Sequence, residues 1–201
     1  MKVIFFICLL SLLFLAKGYS QGEIFQIGNQ NNYVAGVTTE KFRFYAAQQK
    51  SQNWCWAACI QMVLSYQGLF VDQCDIVKEA FDQSTCNDRP ANCYDIERAA
   101  GGWNINGRRI QAYQEHTTPS AHDFINDLAY KYPLIIGLNM PGQDVGHAYV
   151  LTAVFYQYDR SNRKLPYKVV LRDPWPENPS RTELSWDDFK SRLNCVTHVT
   201  F

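Results

Sequence analysis

The chain lacks an excess of either charge: nineteen basic side chains meet nineteen acidic ones across 201 residues. A nucleic-acid surface or an anionic membrane face needs a cationic surplus, so neither partner is expected. Repeats and low-complexity tracts are absent as well. There are only four histidines, and no two cysteines form a C-x-x-C pair, so a zinc site would lack its usual ligand spacing. No cofactor and no metal are expected. Past residue 20, no apolar run approaches the roughly 20 residues of a membrane-spanning helix.

What is present begins at the amino end. Met1-Lys2 is followed by an apolar run from Val3 to Ala16 and then by Gly18-Tyr19-Ser20. One positive charge, a short apolar stretch and a small-residue exit predict a signal peptide over residues 1–20. An uncleaved anchor is the competing reading, disfavoured by the shortness of the run. Cys8 lies inside it without the small neighbours of a lipid-attachment cysteine. Residues 21–201 then form one secreted or periplasmic domain, large enough for a real core and expected to act as a monomer.

Outside that run stand Cys55, Cys59, Cys74, Cys86, Cys93 and Cys195. In an oxidising compartment the bland outcome is three disulfides, with no thiol left for chemistry. A catalytic thiol would leave an odd number, so a second cysteine must stay reduced. Cys59 is the candidate, with at most two disulfides among the rest. Cys86 and Cys93 share a loop and are expected to pair with each other or with Cys74.

Hydrophobic spacing predicts a helix over 55–67, "CWAACIQMVLSYQ", stopped by Gly68. A second helix follows within "VDQCDIVKEAF", with Asp72 as its cap. "DQSTCNDRPANC" is a loop by composition, and "YDIERAAGG" a short helix. Ser120 and Asp123 signal the start of another helix, through about Tyr130. Earlier, "GNQNN" marks a turn and "KFRFY" alternates like a short strand. Strands are expected at 133–140, 147–158 and 167–173, then a short helix in "SWDDFKSRL" and a last strand in "CVTHVTF". The fold class is α+β, helical first and β-rich second, with a cleft between the halves as the natural site.

Cys55 opens its helix, where unpaired backbone N–H groups and the helix dipole favour a thiolate. Cys59 sits one turn deeper and suits a core thiol or a disulfide partner. A nucleophile wants a base. His116 and His122 fit surface positions, and His198 fits a satisfied core residue. His147 follows Gly146 at the start of the long strand, so its ring can face a cleft. If 147–158 and 167–173 pair antiparallel, Asp173 falls beside it and can orient the imidazole. Taken alone, Asp173 before proline is a turn residue. Gln49, six residues before Cys55, can help a backbone N–H hold an oxyanion, with Gln48 and Gln52 as rivals.

Together "Q-x5-C-W-A-A" opening a helix, "GHAYVL" and "LRDPWP" resemble the papain-like cysteine peptidases. The likeness is to bacterial secreted effector-type peptidases and to those that remove leader peptides from bacteriocins, over roughly residues 45 to 192. It implies a papain-like fold, Cys55 rather than Cys59 as nucleophile, His147 and Asp173 as its partners, and Gln49 in the oxyanion hole. It further implies a peptide or protein substrate cut through an acyl-enzyme thioester. Trp54 is expected at the cleft wall and Trp56 against the β half. The cysteines at 74, 86, 93 and 195 depart from the family pattern, and no pro-segment is identified. A transferase that resolves the same thioester with an amine is one alternative. A silent peptide-binding shell and a disulfide-stapled structural protein are the others.

Overall fold

The computed structural model of the chain describes residues 24–28, 31–115, 120–142 and 146–200. The expected signal peptide and His116 lie outside the described residues. Strands β1 (Ile24–Gln26) and β2 (Tyr33–Gly36) pair as a hairpin across the "GNQNN" segment, of which residues 29 and 30 lie outside the described part. Helices α1 (Thr39–Arg43), α2 (Cys55–Tyr66), α3 (Gln73–Phe81) and α4 (Cys93–Ala100) follow. The short strands β3 (Asn104–Ile105), β4 (Arg108–Arg109) and β5 (Gln111–Gln114) lead to α5 (Ala121–Ala129). Then come β6 (Leu134–Asn139), β7 (Gly146–Tyr158), β8 (Lys164–Arg172), β9 (Arg181–Ser185), α6 (Trp186–Arg192) and β10 (Leu193–Thr200). The α+β expectation holds, with helices first and an antiparallel sheet after them.

Strand β7 is the spine of the sheet. One edge carries β6 along residues 146–151 and then β2 along 153–156, while the other carries β8. Beyond them β10 and β5 extend one side, and β9 extends the other. Both faces are covered. Helices α2, α3 and α4 bury Ala148 and Val150 on one face, and α5 and α6 bury Tyr149 and Leu151 on the other. Past the irregularity at Thr152 the parity exchanges, and Val154 and Tyr156 join the α5–α6 side. One extra residue flips every later side chain, so this bulge lets a single strand serve two cores. Gly36 sits against it at φ 154°, where a Cβ would overlap the Thr152 carbonyl oxygen.

The predicted caps are in place. Asp72 accepts from the Cys74 N–H at 2.9 Å, and Ser120 with Asp123 forms a capping box on α5. The "KFRFY" segment is not strand: its residues 41–43 lie in α1, because Thr38 caps a turn that buries Phe42 and leaves Phe44 outside. Phe42 packs on Tyr66 of α2 at 5.4 Å between ring centroids, a contact that alternation within "KFRFY" does not reveal.

Among the described residues two disulfides form, Cys74–Cys86 and Cys93–Cys195, while Cys55 and Cys59 are free. The Cys86–Cys93 alternative is excluded: Cys93 opens α4 against β10 and meets Cys195 there. That bridge closes a separation of 102 residues, worth about 4–5 kcal/mol by loop entropy. Trp56 is also corrected. It packs edge-on to Phe81 of α3 at 5.8 Å, away from the β half, because α3 and the loop after it wall that side of α2. Among the described residues no helix is long and apolar enough to cross a membrane.

Candidate active site

Helix α2 is apolar nearly all round, with Trp56 to Ile60 and Met62 to Ser65 buried, as befits a central helix. Its amino end is unusual. Trp54 occupies the N-cap position, and no side chain caps the helix. A Ser, Thr or Asp there would occupy a first-turn N–H; with Trp54 those donors stay open beside Cys55. The approach to it is held from below by Gln73, fully buried. Its Oε1 accepts from the Lys50 N–H at 2.9 Å, and its Nε2 donates to the Gln48 carbonyl at 2.8 Å. Trp54 itself is buried, and its Nε1 donates to the Asn87 carbonyl at 3.2 Å.

Cys55 is half-buried and Cys59 fully buried. Burial, reinforced by nearby Cys55 and Asp173, pushes the Cys59 thiol well above its ordinary range. A protonated thiol inside a core is inert.

The β7–β8 pairing brings His147 and Asp173 together. Val150 lies opposite Arg172, so the start of one strand meets the residue that ends the other. Asp173 Oδ1 lies 2.8 Å from His147 Nε2, the carboxylate buried and the imidazole partly exposed. Cys55 acts on the same ring, helping to raise its pKa, and with Nε2 committed to Asp173 it is Nδ1 that is left for the thiol. Burial opposes charge on His147, but Asp173 and Cys55 outweigh it and raise its pKa to about 9. Burial likewise opposes charge on Asp173, yet His147, the Trp175 N–H and Asn178 hold its carboxyl below the usual range.

Asp173 is the turn residue and the partner of histidine at once. Oδ1 also accepts from the Trp175 N–H at 2.9 Å, closing a turn over Pro174. Oδ2 accepts from Asn178 Nδ2 at 2.9 Å. Rings of Tyr149 and Trp175 stand edge-on to the imidazole at 4.7 and 6.2 Å. Burial and the nearby Asp173 push Tyr149 up to about 12, so its hydroxyl stays neutral. A cavity of about 290 Å³ opens beyond Asp173, with Tyr149, Asn178, Thr182 and Arg192 in its walls. Asn178 and Tyr149 were missed from sequence. The Asp-Pro-Trp turn was the available signal for a fixed carboxylate, but nothing local marks Asn178 as its second donor.

Of the three glutamines only Gln49 is buried; Gln48 and Gln52 are exposed. The Gln49 N–H donates to the Pro174 carbonyl at 2.8 Å, tying this segment to the Asp173 turn. Its side-chain amide donates to the carbonyls of Ser51 at 2.9 Å and Gln52 at 2.7 Å. Oε1 is buried without a partner.

His122 is exposed, 3.8 Å from Asp123. His198 is a core residue as expected, but an ionic one. Its Nδ1 bonds Asp127, its Nε2 lies 3.2 Å from Glu115, and its ring stacks on Tyr113 at 4.5 Å. Burial opposes its charge, yet the two carboxylates raise its pKa. Its loss would strand two carboxylates. Among the described residues no group of three His, Cys, Asp or Glu side chains is arranged to hold a metal.

The model of the family described as papain-like cysteine protease AvrRpt2 matches residues 38–194. No curated protein matches the chain. Among solved structures, the peptidase domain of Streptococcus ComA, a bifunctional ABC transporter involved in quorum sensing, aligns with TM-score 0.53 and 15% identity. That alignment covers 77% of this chain and 96% of the other. A double-glycine-motif protease from an AMS/PCAT transporter, solved with a leader peptide, aligns with TM-score 0.50 and 16% identity, over 77% and 91% of the two chains. At such identities the likeness to these two is one of fold.

Proposed function

Because the chain belongs to the papain-like cysteine protease AvrRpt2 family and is a cysteine peptidase, we propose that it cuts peptide bonds through Cys55, His147 and Asp173. The observation that carries this reading is the imidazole of His147, bonded through Nε2 to Asp173 at 2.8 Å, with its pKa raised by Cys55 as well as by Asp173.

The chemistry proceeds in two halves. His147 takes the Cys55 proton, and the sulfur attacks the substrate carbonyl carbon, moving the π-electron pair onto oxygen. That oxyanion meets the open first-turn amides of α2. Gln49 joins them by exchanging one of its two backbone acceptors for the oxyanion. His147 then protonates the departing amine as the C–N bond breaks, leaving an acyl thioester on Cys55. Water enters, gives its proton to His147, attacks the thioester and releases the acid, and the proton returns to sulfur. Asp173 steadies the imidazolium throughout and fixes the ring orientation. All three groups come from one chain, so a monomer suffices.

The substrate is a peptide or protein, and the enzyme is exported. The apolar run at 3–16 and the two disulfides support export, since such bridges persist in oxidising compartments. Turnover of a peptide library by the wild type and by Cys55→Ala tests the proposal, with products read by mass spectrometry. Hydrolysis should vanish in the variant while its melting temperature is kept. Aminolysis products from added amine would move the reading to a transferase, and retained hydrolysis would end it.

A further inference from the structure

The loop 82–92 between α3 and α4 looks unremarkable in sequence, yet it bonds the residues on either side of the nucleophile along the chain. Asp88 Oδ1 accepts from the Asn53 backbone N–H at 2.9 Å, and Oδ2 accepts from the Asn53 side chain at 3.3 Å. The carbonyls of Asn87 and Arg89 accept from the indoles of Trp54 and Trp56 at 3.2 and 3.3 Å. Residues 53, 54 and 56 are thus all bonded to one short stretch, with Cys55 among them.

The stretch is itself anchored. Cys86 is bridged to Cys74 at the start of α3 with a Cα–Cα distance of 5.0 Å. The Arg89 guanidinium lies 3.7 Å from the centroid of the Phe81 ring, and that ring meets Trp56 edge-on. At its far end Asn92 caps α4.

The position of Asp88 has a chemical consequence. A carboxylate at the N-cap itself would take a first-turn amide, and the oxyanion needs those amides. Asp88 instead takes the amide of Asn53, one residue ahead of the cap position, and leaves the first turn open. We propose that Asp88, presented by the loop that the Cys74–Cys86 bridge anchors, is a positioning residue for the nucleophile. It fixes the amino end of α2, and with it the sulfur and the oxyanion donors, without occupying them. The inference rests on Cys55 being the nucleophile.

The test compares Asp88→Ala, Asp88→Asn, Asp88→Glu and the double variant Cys74→Ser/Cys86→Ser with the wild type, and runs Cys55→Ala in parallel. Steady-state kcat and KM on a peptide substrate are measured together with the melting temperature. Displacing reacting groups by an ångström costs up to about 100-fold, so Asp88→Ala should lower kcat about 10- to 100-fold with little change in KM. Asp88→Asn keeps an oxygen for the Asn53 amide and should recover most of that loss. Asp88→Glu moves the oxygens by one methylene and should lower kcat without lowering the melting temperature. The double serine variant should lower both. A loop that merely stabilises the fold would lower the melting temperature and leave the kcat of folded enzyme unchanged. Wild-type kcat in Asp88→Ala, or in Asp88→Glu where Asp88→Ala fails to fold, overturns the inference alone if Cys55→Ala is inactive. Turnover surviving in Cys55→Ala overturns both readings.

Discussion

Two histidines in this molecule have almost the same surroundings and opposite prospects. His147 and His198 are both held by carboxylates, and both rest against a tyrosine ring. Both have a raised pKa. They differ in one nitrogen. His198 gives both ring nitrogens to acids, Asp127 and Glu115, and has none left. His147 gives one to Asp173 and turns the other to Cys55. Burial and a carboxylate partner are common to both, so the proposed base is distinguished by a ring nitrogen not given to an acid. The free cysteines repeat the contrast. Cys55 stands at an uncapped helix end, and Cys59 is sealed one turn deeper.

The largest expected effect follows from removing each ring. His147→Ala should lower kcat/KM about 10³-fold, within the range of acid–base catalysis, at a nearly unchanged melting temperature. His198→Ala should do the reverse. Stranding Asp127 and Glu115 should cost about 2–3 kcal/mol in chemical denaturation, while the folded fraction keeps wild-type turnover. Equal loss of activity in both variants would erase the distinction.

Asp173→Asn ranks next. Turnover should fall about 10- to 100-fold. The His147 titration, followed by NMR of the ring protons, should move down from about 9, because the Asp173 bond is a principal cause of its rise. An unmoved titration would mean that Asp173 does not govern the ring.

A pH effect on stability is smaller and has a definite sign. The folded pKa of His147, about 9, exceeds its ordinary 6.5, so its contribution is complete below pH 6.5 and is lost as pH rises through about 9. The Asp173 carboxyl is lowered from 3.8, so its contribution is complete above pH 3.8 and is lost as pH falls through its folded value. The pair is at full strength between those limits. Denaturant midpoints measured from pH 6.5 upward should decline through about pH 9 in the wild type, and the decline should be weaker in His147→Ala.

The smallest effect belongs to Cys59. Cys59→Ala should cost about 1 kcal/mol in stability and nothing in kcat. In the wild type, iodoacetamide at neutral pH should reach Cys55 and leave Cys59 unmodified, since burial raises that thiol and blocks access.

Much of this contrast was readable in the sequence. The caps Asp72 and Ser120, the long strands and the antiparallel logic that joins His147 to Asp173 all follow from local patterns. What was missed depends on partners distant along the chain. Residues 41–45 alternate like a strand, but Phe42 meets Tyr66, and the Thr38 cap makes a helical turn. Cys93 and Cys195 are 102 residues apart and meet only once α4 packs on β10. The pairing of His198 with Asp127 and Glu115 needs three elements folded together. The Asn106-Gly107 hairpin between β3 and β4, both residues at positive φ, had a legible signature that was passed over.

The central claim is that Cys55 carries the acyl group, with His147 as its proton carrier. It is tested most directly by quenching turnover of an activated peptide ester in acid and measuring the intact protein mass. The account predicts one added acyl mass, mapped by digestion to Cys55. The adduct should be absent from Cys55→Ala and should form far more slowly in His147→Ala. An adduct on any other residue, or turnover in Cys55→Ala, would contradict it.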